Sequence, residues 1–276
     1  MRAIIAEDFS KVSDPVKTES MISEQILSLK EEISTDFAYV SLPLAWNINQ
    51  NGVPHTQGKI DKICSSNQNR RLVFVCQHIL VNQLNFHGNE VFTPHATIFD
   101  SFIPLPHYSC TYNTLKAKPW ADRKYNFSFM GSFRTHPVRE RLAKALSHRD
   151  DCLFIDTGQW HFEGNEAKQR KNAEKYIEIL GNTKYSLCPR GTGPSTIRIW
   201  ESMAMGSKPV IFSDFLKMPL DLQVDVNAWA KLPEDFSIKT FDTMLENESE
   251  YVNSDYNDIF ANDKLYQTVV RSLEGW

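Results

Sequence analysis

Apolar residues in the first part of the chain fall into short runs with a helical segment between them. The runs are Arg2 to Ala6, Phe37 to Leu42 and Arg71 to Cys76, and a further short strand is predicted at Thr97 to Phe99. From Pro15 to about Ile33, apolar residues recur three to four positions apart, which predicts a helix. Strands that alternate with helices are typical of a parallel α/β sheet.

Two segments lack this pattern. Leu44 to His55 is rich in Asn, Gly and Pro, which predicts a loop. Residues 101–120 contain three prolines and little periodicity, which is typical of a linker. We therefore predict an N-terminal domain over residues 1–105, a linker over 106–120 and a C-terminal domain over 121–276.

The second half repeats the alternation, which predicts a second α/β layer. Its predicted strands are Tyr125 to Met130 and Cys152 to Ile155, and its predicted helices are Pro137 to His148, Asn172 to Leu180, Phe241 to Asn247 and Asp258 to Leu273.

The most informative stretch runs from Lys184 to Asp214. Its apolar run, Tyr185 to Cys188, precedes Arg190 to Gly193, where two glycines allow a tight backbone path. Pro194 then stands where a first helical turn would begin. This order predicts a strand, a glycine loop and a helix N-terminus, whose unpaired N–H groups and dipole favour a phosphate or diphosphate.

Two side chains would complete such a site. Arg190 adds a fork of fixed donors. Glu201 shares a helical stripe with Gly193 and Ile197, which places it two turns into the predicted helix, within reach of a ribose. Lys208 to Phe212 then predicts a buried parallel strand.

A second loop, from Gly131 to Arg134, follows a predicted strand in the same way. Ligands of open parallel sheets bind outside the carboxyl ends of the strands, so the two loops are expected to converge. The predicted donor-binding residues are Gly131, Ser132, Arg134, Arg190, Gly191, Thr192, Gly193, Ser195, Thr196 and Glu201.

The run CPRGTGPSTIRIWESMAMGSKPVIFSD resembles the signature of the exostosin-like family of glycosyltransferases, which includes heparan sulfate polymerases and plant cell-wall transferases. Looser similarity extends to Phe127 to Ser132, Arg139 to Leu142 and Val224 to Pro233. The resemblance implies a GT-B-like α/β fold with two facing Rossmann-like domains and parallel sheets. Because the N-terminal domain is short, we expect it to be reduced to about four to five strands.

The resemblance also implies an activity. It is the inverting, metal-independent transfer of a sugar from a nucleotide diphosphate sugar to a glycan or glycolipid acceptor. A UDP-sugar is favoured over a GDP-sugar, and no cofactor is expected. Arg190 would stabilise the leaving diphosphate and Glu201 would accept from the ribose hydroxyls.

An inverting reaction needs a base for the acceptor hydroxyl. Asp8 follows the first predicted strand and His78 follows the third, so each stands at a strand end. His95 and Asp100 are alternates, and the sequence does not decide between Asp8 and His78.

The amino-acid composition bears on the class of protein, its ligands and its location. The chain is 41% hydrophobic with a net charge of −4, which describes a soluble globular protein and argues against nucleic-acid binding. Its five cysteines are widely spread without metal-ligand spacing, which favours reduced thiols. No run has the length of a signal peptide or a membrane span, so we expect a cytoplasmic protein, with peripheral membrane contact left open.

Two other functions are alternatives. A binding protein for nucleotides or glycans could keep the donor loop without catalysis. A dinucleotide-dependent oxidoreductase is disfavoured, because no GxGxxG motif follows the first strand.

Overall fold

The structure, a computed structural model, describes residues 2–7, 9, 17–29, 36–109, 117–158, 166–219, 227–247, 250–251 and 261–274. The chain forms two compact units. Each unit contains a five-stranded sheet in which every strand runs parallel to its neighbours, which confirms the predicted α/β class. The first unit comprises Met1–Tyr108, Phe215–Val224 and Asp258–Trp276, and the second comprises Ser109–Asp214 and Asp225–Asn257.

The first sheet has its strands in chain order. They are β1 (Arg2–Ile5), β2 (Phe37–Ser41), β3 (Arg71–Val75), β4 (Glu90–Thr93) and β5 (Ile103–Pro104), and the helices of this unit are α1 (Lys17–Ser28), α2 (Leu44–Ser66) and α7 (Leu265–Glu274). Every residue of β2 is buried, as expected for a parallel strand covered on both faces. The five strands agree with the expected reduced sheet.

The segment predicted as a loop at Leu44 to His55 is helical, because it opens α2. Gly52, at φ 80° and ψ 169°, interrupts the helix, and Pro54 stands in the first turn after this break. A proline is tolerated there because the first N–H groups of a helix have no intrahelical partner. The Asn, Gly and Pro residues therefore mark a joint between two helices.

The strand predicted at Thr97 to Phe99 is also wrong, since β4 ends before it. Asp100 closes a turn instead, and its carboxylate accepts hydrogen bonds from the Thr97 backbone N (2.9 Å), the Thr97 hydroxyl (2.6 Å) and the Phe102 backbone N (3.0 Å). The strand β5 lies inside the low-periodicity stretch 101–120, before the predicted linker and at the end of the predicted N-terminal domain.

The C-terminal helix corrects the predicted domain assignment. Leu265, Val269 and Leu273 are four residues apart on α7, and they are buried in one cluster with Ile22 and Ile26 of α1. Residues 258–276 therefore belong to the first unit rather than to a continuous C-terminal domain over 121–276. An apolar stripe shows that a helix is buried, but it does not show against which sheet.

The second sheet has the order β10-β9-β8-β6-β7. Four of its five strands match the predicted apolar runs, whereas the strand at Ala230–Leu232 was not predicted. The elements are β6 (Tyr125–Gly131), β7 (Cys152–Asp156), β8 (Thr183–Pro189), β9 (Lys208–Phe212), β10 (Ala230–Leu232), α3 (Pro137–Leu146), α4 (Glu166–Gly181), α5 (Arg198–Ala204) and α6 (Lys239–Glu246).

The helix predicted to begin near Pro194 begins later, because α5 starts at Arg198. Ser195 and Thr196 therefore precede the helix, and Glu201 lies in its first turn rather than two turns in. Gly206, at φ 64°, lies just past its end, as predicted. Within the ranges given above, no helix has both the length and the apolar composition needed to cross a bilayer.

A buried carboxylate joins three elements of the first unit. Glu19 of α1 is 1% exposed, and it accepts hydrogen bonds from the backbone N of Gln77 (2.7 Å) and the backbone N of Ala45 (3.1 Å). The Gln77 side chain accepts in return from the backbone N of Thr18 (2.8 Å). Burial raises the pKa of Glu19 to about 8, against the opposing effect of its backbone donors.

We predict that Glu19→Ala destabilises the protein by about 2–4 kcal/mol, since two buried N–H groups would lose their acceptor. Glu19→Gln keeps one acceptor oxygen and should cost less. Because the pKa is raised from 4.5 to about 8, wild type should lose stability relative to Glu19→Gln as the pH rises through that window. Urea unfolding at several pH values tests both statements, with Glu24→Ala on the exposed face of α1 as control. A loss no larger than that of the control would contradict the prediction.

Candidate functional site

Four adjacent strands of the second sheet end at one edge. Ser132 follows β6, Arg190 follows β8, Asp214 lies just beyond β9, and Glu234 lies just beyond β10. Since these strands are parallel, their carboxyl ends lie side by side, and this is the edge where ligands of open α/β sheets bind. The structure thus brings the two predicted loops together.

Arg139 of α3 connects these loops. Its Nε donates to the carbonyl oxygen of Arg190 (2.9 Å), its Nη1 to that of Ser132 (2.9 Å) and its Nη2 to that of Pro189 (3.3 Å). Burial lowers the pKa of Arg139 to about 10, and the side chain remains charged at neutral pH. Its donors are used to hold the backbone of the two strand ends.

Two glycines make room for arginines. A Cβ placed on Gly191 would lie 2.9 Å from Nη2 of Arg139. A Cβ placed on Gly131 would lie 3.0 Å from Nη2 of Arg198 and 3.1 Å from the ring of Phe129. A side chain at either glycine would therefore displace a guanidinium, whereas the sequence suggested a tight backbone path at Gly191.

Arg198 is buried in the same layer. It is 9% exposed, it donates from Nη2 to the carbonyl oxygen of Met130, and its guanidinium lies over the rings of Phe129 (4.4 Å) and Tyr176 (5.1 Å). Glu201 is 6% exposed and accepts a hydrogen bond from the Tyr176 hydroxyl (2.7 Å). Tyr176 stands on α4, far from Glu201 in sequence, so no local pattern indicated this contact.

Arg139 and Arg198 each donate from the guanidinium to backbone carbonyl groups, although Nε of Arg198 has no partner among the described residues, whereas the guanidinium of Arg190 makes no hydrogen bond there. Its Nη1 lies 3.6 Å from Oε1 of Glu234, and its Nε is buried without a hydrogen-bond partner among the described residues. Its backbone N donates to the carbonyl oxygen of Phe212 (3.0 Å), which fixes the start of the loop. The guanidinium therefore keeps donors for an incoming anion.

The other predicted donor residues vary in burial. Gly193 and Ser195 are buried, Thr196 is half-buried, and Arg134 and Thr192 are exposed. Glu234 and His136 were missed by sequence analysis, although Nε2 of His136 lies 3.7 Å from Oε2 of Glu234. Burial lowers the pKa of His136, with the nearby Arg190 acting in the same direction.

The candidates for a base lie in the first unit, apart from Asp8, which is outside the described residues. His78 accepts at Nδ1 from the backbone N of Leu80 (3.1 Å), so the proton of its neutral ring is on Nε2, which faces Oδ1 of Asn49 at 3.1 Å. Burial lowers its pKa. Both ring nitrogens of His78 are therefore engaged, and the carboxylate of Asp100 is engaged in the turn described above.

His95 follows β4 and is 7% exposed. Its Nδ1 is buried without a hydrogen-bond partner in the described part of the chain, and its ring lies 5.3 Å from that of His107, centroid to centroid. Burial lowers the pKa of His95 to about 4, so the ring is neutral at neutral pH. A neutral ring with an unused nitrogen can accept a proton.

The sequence comparison places this site in a known family. The model of the exostosin GT47 domain matches residues 46–233, more than half of the chain, and the match includes the strand ends of β6, β8 and β9. The chain belongs to the exostosin GT47 family. This membership confirms the predicted glycosyltransferase family.

The matches to individual relatives cover only part of this chain and part of each relative. The Exostosin-1 homolog of Caenorhabditis elegans is 27% identical over 175 residues, which is 54% of this chain and 46% of the relative. The probable glucuronoxylan glucuronosyltransferase IRX7 of Arabidopsis thaliana is 30% identical over 94 residues, which is 33% of this chain and 20% of the relative. The chain thus spans less than half the length of these relatives. Among solved structures, the GtfA/B complex has a TM-score of 0.41 at 11% identity, over 93% of this chain and 59% of that one.

For this exostosin GT47 chain we predict that Arg139→Lys lowers stability by about 1–3 kcal/mol, because an ammonium cannot reach three carbonyl groups at fixed angles. The thermal unfolding midpoint should fall by several degrees. Arg170→Lys, at an exposed position on α4, is the control. Equal midpoints for the two variants would show that the clamp contributes no stability.

Proposed function

We propose that this exostosin GT47 chain transfers a sugar from a nucleotide diphosphate sugar to a glycan or glycolipid acceptor. The observation that supports this most is the guanidinium of Arg190, which stands partly exposed at a parallel-sheet edge and makes no hydrogen bond among the described residues, with its Nη1 3.6 Å from Oε1 of Glu234. The Nη groups can therefore donate to an anionic diphosphate.

In this proposal the diphosphate lies at the loops after β6 and β8. Arg190 neutralises the charge that develops on the leaving diphosphate, and this is the role that accelerates transfer. Glu201 accepts from the ribose hydroxyls, with its carboxylate oriented by Tyr176. A UDP-sugar is the favoured donor and a GDP-sugar is the alternative. The proposed transfer inverts the anomeric configuration, uses no metal ion and takes place in the cytoplasm.

The base for the acceptor hydroxyl is a separate part of the proposal. Asp8 stays a candidate because it follows the first predicted strand. His78 stays a candidate if the hydrogen bonds of its ring nitrogens break. His95 stays an alternate: its Nδ1 makes no hydrogen bond within the described residues, and burial disfavours its protonated form. A non-catalytic binding protein is the competing function, and it predicts nucleotide binding without turnover.

The first test is Arg190→Ala. Loss of one preorganised donor should lower kcat by about 10²–10³-fold, with little change in thermal stability. Thermal unfolding with UDP, GDP, CMP, ADP and NAD, with Mn²⁺ or with EDTA, measures ligand binding. A ligand at about 100 times its Kd adds about 2.7 kcal/mol of stability.

One nucleoside diphosphate should stabilise wild type and Arg170→Ala, but not Arg190→Ala, with or without metal. Stabilisation without turnover of any nucleotide sugar would support the binding-protein function. If no nucleoside diphosphate stabilises the wild type, the proposed function is wrong.

The second test compares His95→Gln with His78→Gln. If His95 is the base, its replacement should lower kcat by about 10²–10⁴-fold and leave the Kd of the nucleoside diphosphate unchanged. Since burial lowers its pKa to about 4, wild-type kcat should not depend on this group between about pH 6 and 8. His107→Gln, at the neighbouring buried ring, controls for packing. A larger loss in His78→Gln or Asp8→Asn would assign the base there.

A further inference from the structure

Glu234 is a carboxylate among the donor-site loops. It follows the edge strand β10, and three hydrogen bonds fix it in place. Its backbone N donates to Oδ1 of Asp214 (2.8 Å), its carbonyl oxygen accepts from Nη2 of Arg141 (2.8 Å), and its Oε1 accepts from the backbone N of Asp214 (3.4 Å). Both the main chain and the carboxylate of Glu234 are therefore held in position.

The two carboxylate oxygens face two different side chains. Oε1 lies 3.6 Å from Nη1 of Arg190, and Oε2 lies 3.7 Å from Nε2 of His136. Burial holds the pKa of His136 below its ordinary value, so Arg190 is the charged partner at neutral pH.

The distance between Glu234 and Arg190 is informative. At 3.6 Å the two groups attract each other as charges, yet they are farther apart than the 2.7–3.2 Å typical of N–H···O hydrogen bonds. The guanidinium is therefore oriented by Glu234 while its N–H donors are left for another acceptor. By contrast, the guanidinium of Arg139 is occupied by three carbonyl oxygens.

We propose that Glu234 is a positioning residue that orients Arg190 for the leaving diphosphate, and this inference rests on the proposed function. A fixed donor stabilises the charge that develops during transfer without reorganising at that moment. The same carboxylate repels the diphosphate in the ground state, since like charges disfavour each other. Its removal should therefore lower kcat without weakening ground-state binding.

The experiment uses Glu234→Gln, which keeps the shape of the side chain and the oxygen that accepts from Asp214. Glu246→Gln, at an exposed carboxylate at the end of α6, is the matched control. Calorimetry gives the Kd of UDP and GDP, and steady-state kinetics give kcat and the donor KM. We expect a loss of about 10–100-fold in kcat, the range seen for residues that orient a primary group, with Kd and KM equal to or below those of wild type.

A double variant tests whether Glu234 acts through Arg190. Arg190→Ala combined with Glu234→Gln should be no slower than Arg190→Ala alone, because the group to be oriented is gone. The kcat of Glu234→Asp should lie below that of wild type and above that of Glu234→Gln.

Three results would overturn the inference: kinetics identical to those of Glu246→Gln, a raised Kd with a lowered unfolding midpoint, or losses that multiply in the double variant. Each can arise in an active enzyme and leaves the proposed function intact. A wild type that neither binds a nucleoside diphosphate nor transfers sugar would overturn both.

Discussion

The proposed donor site depends on one guanidinium that holds three backbone carbonyl groups. Arg139 reaches from α3 to the ends of β6 and β8, and so it fixes two loops that are far apart in sequence. Carbonyl oxygens carry partial negative charge, and at a phosphate site they would repel the ligand. By binding them, Arg139 both orders the loops and neutralises their unfavourable dipoles. Gly191 is the condition for this, since a Cβ there would meet the guanidinium.

The three arginines of this layer divide the work. Arg139 holds backbone, Arg198 lies between aromatic rings and donates to Met130, and Arg190 pairs only loosely with Glu234. An arginine that donates to the backbone within the protein supports shape, as Arg139 and Arg198 do, although Nε of Arg198 has no partner among the described residues; one whose guanidinium makes no such bond can bind an anion. The amino-acid composition alone does not distinguish these three arginines. The structure separates them by what each guanidinium already contacts.

Local patterns in the sequence predicted seven strands, β1 to β3 and β6 to β9, because a buried parallel strand is a short apolar run whatever it packs against, but they missed β4, β5 and β10. They could not predict the partners of Arg139, Glu201 or Glu234, because these contacts join residues on different elements. The patterns also failed where the same residues are compatible with two different structures. The Asn, Gly and Pro residues around Gly52 suit a loop and a break between helices equally well, and the stripe on α7 does not name the sheet that it covers.

The two units fix their strand ends with side chains of opposite hydrogen-bonding character, an acceptor in the first and a donor in the second, and this difference has a chemical consequence. In the first unit the carboxylate of Glu19 accepts from the backbone N–H groups after β3 and at the start of α2. Those N–H groups are consumed, so that part of the edge is closed to an anion. In the second unit the cation of Arg139 consumes carbonyl groups instead. With those carbonyl groups bound, the guanidinium of Arg190 at the same edge faces fewer competing acceptors, and the proposed diphosphate site rests on this difference between the two sheets.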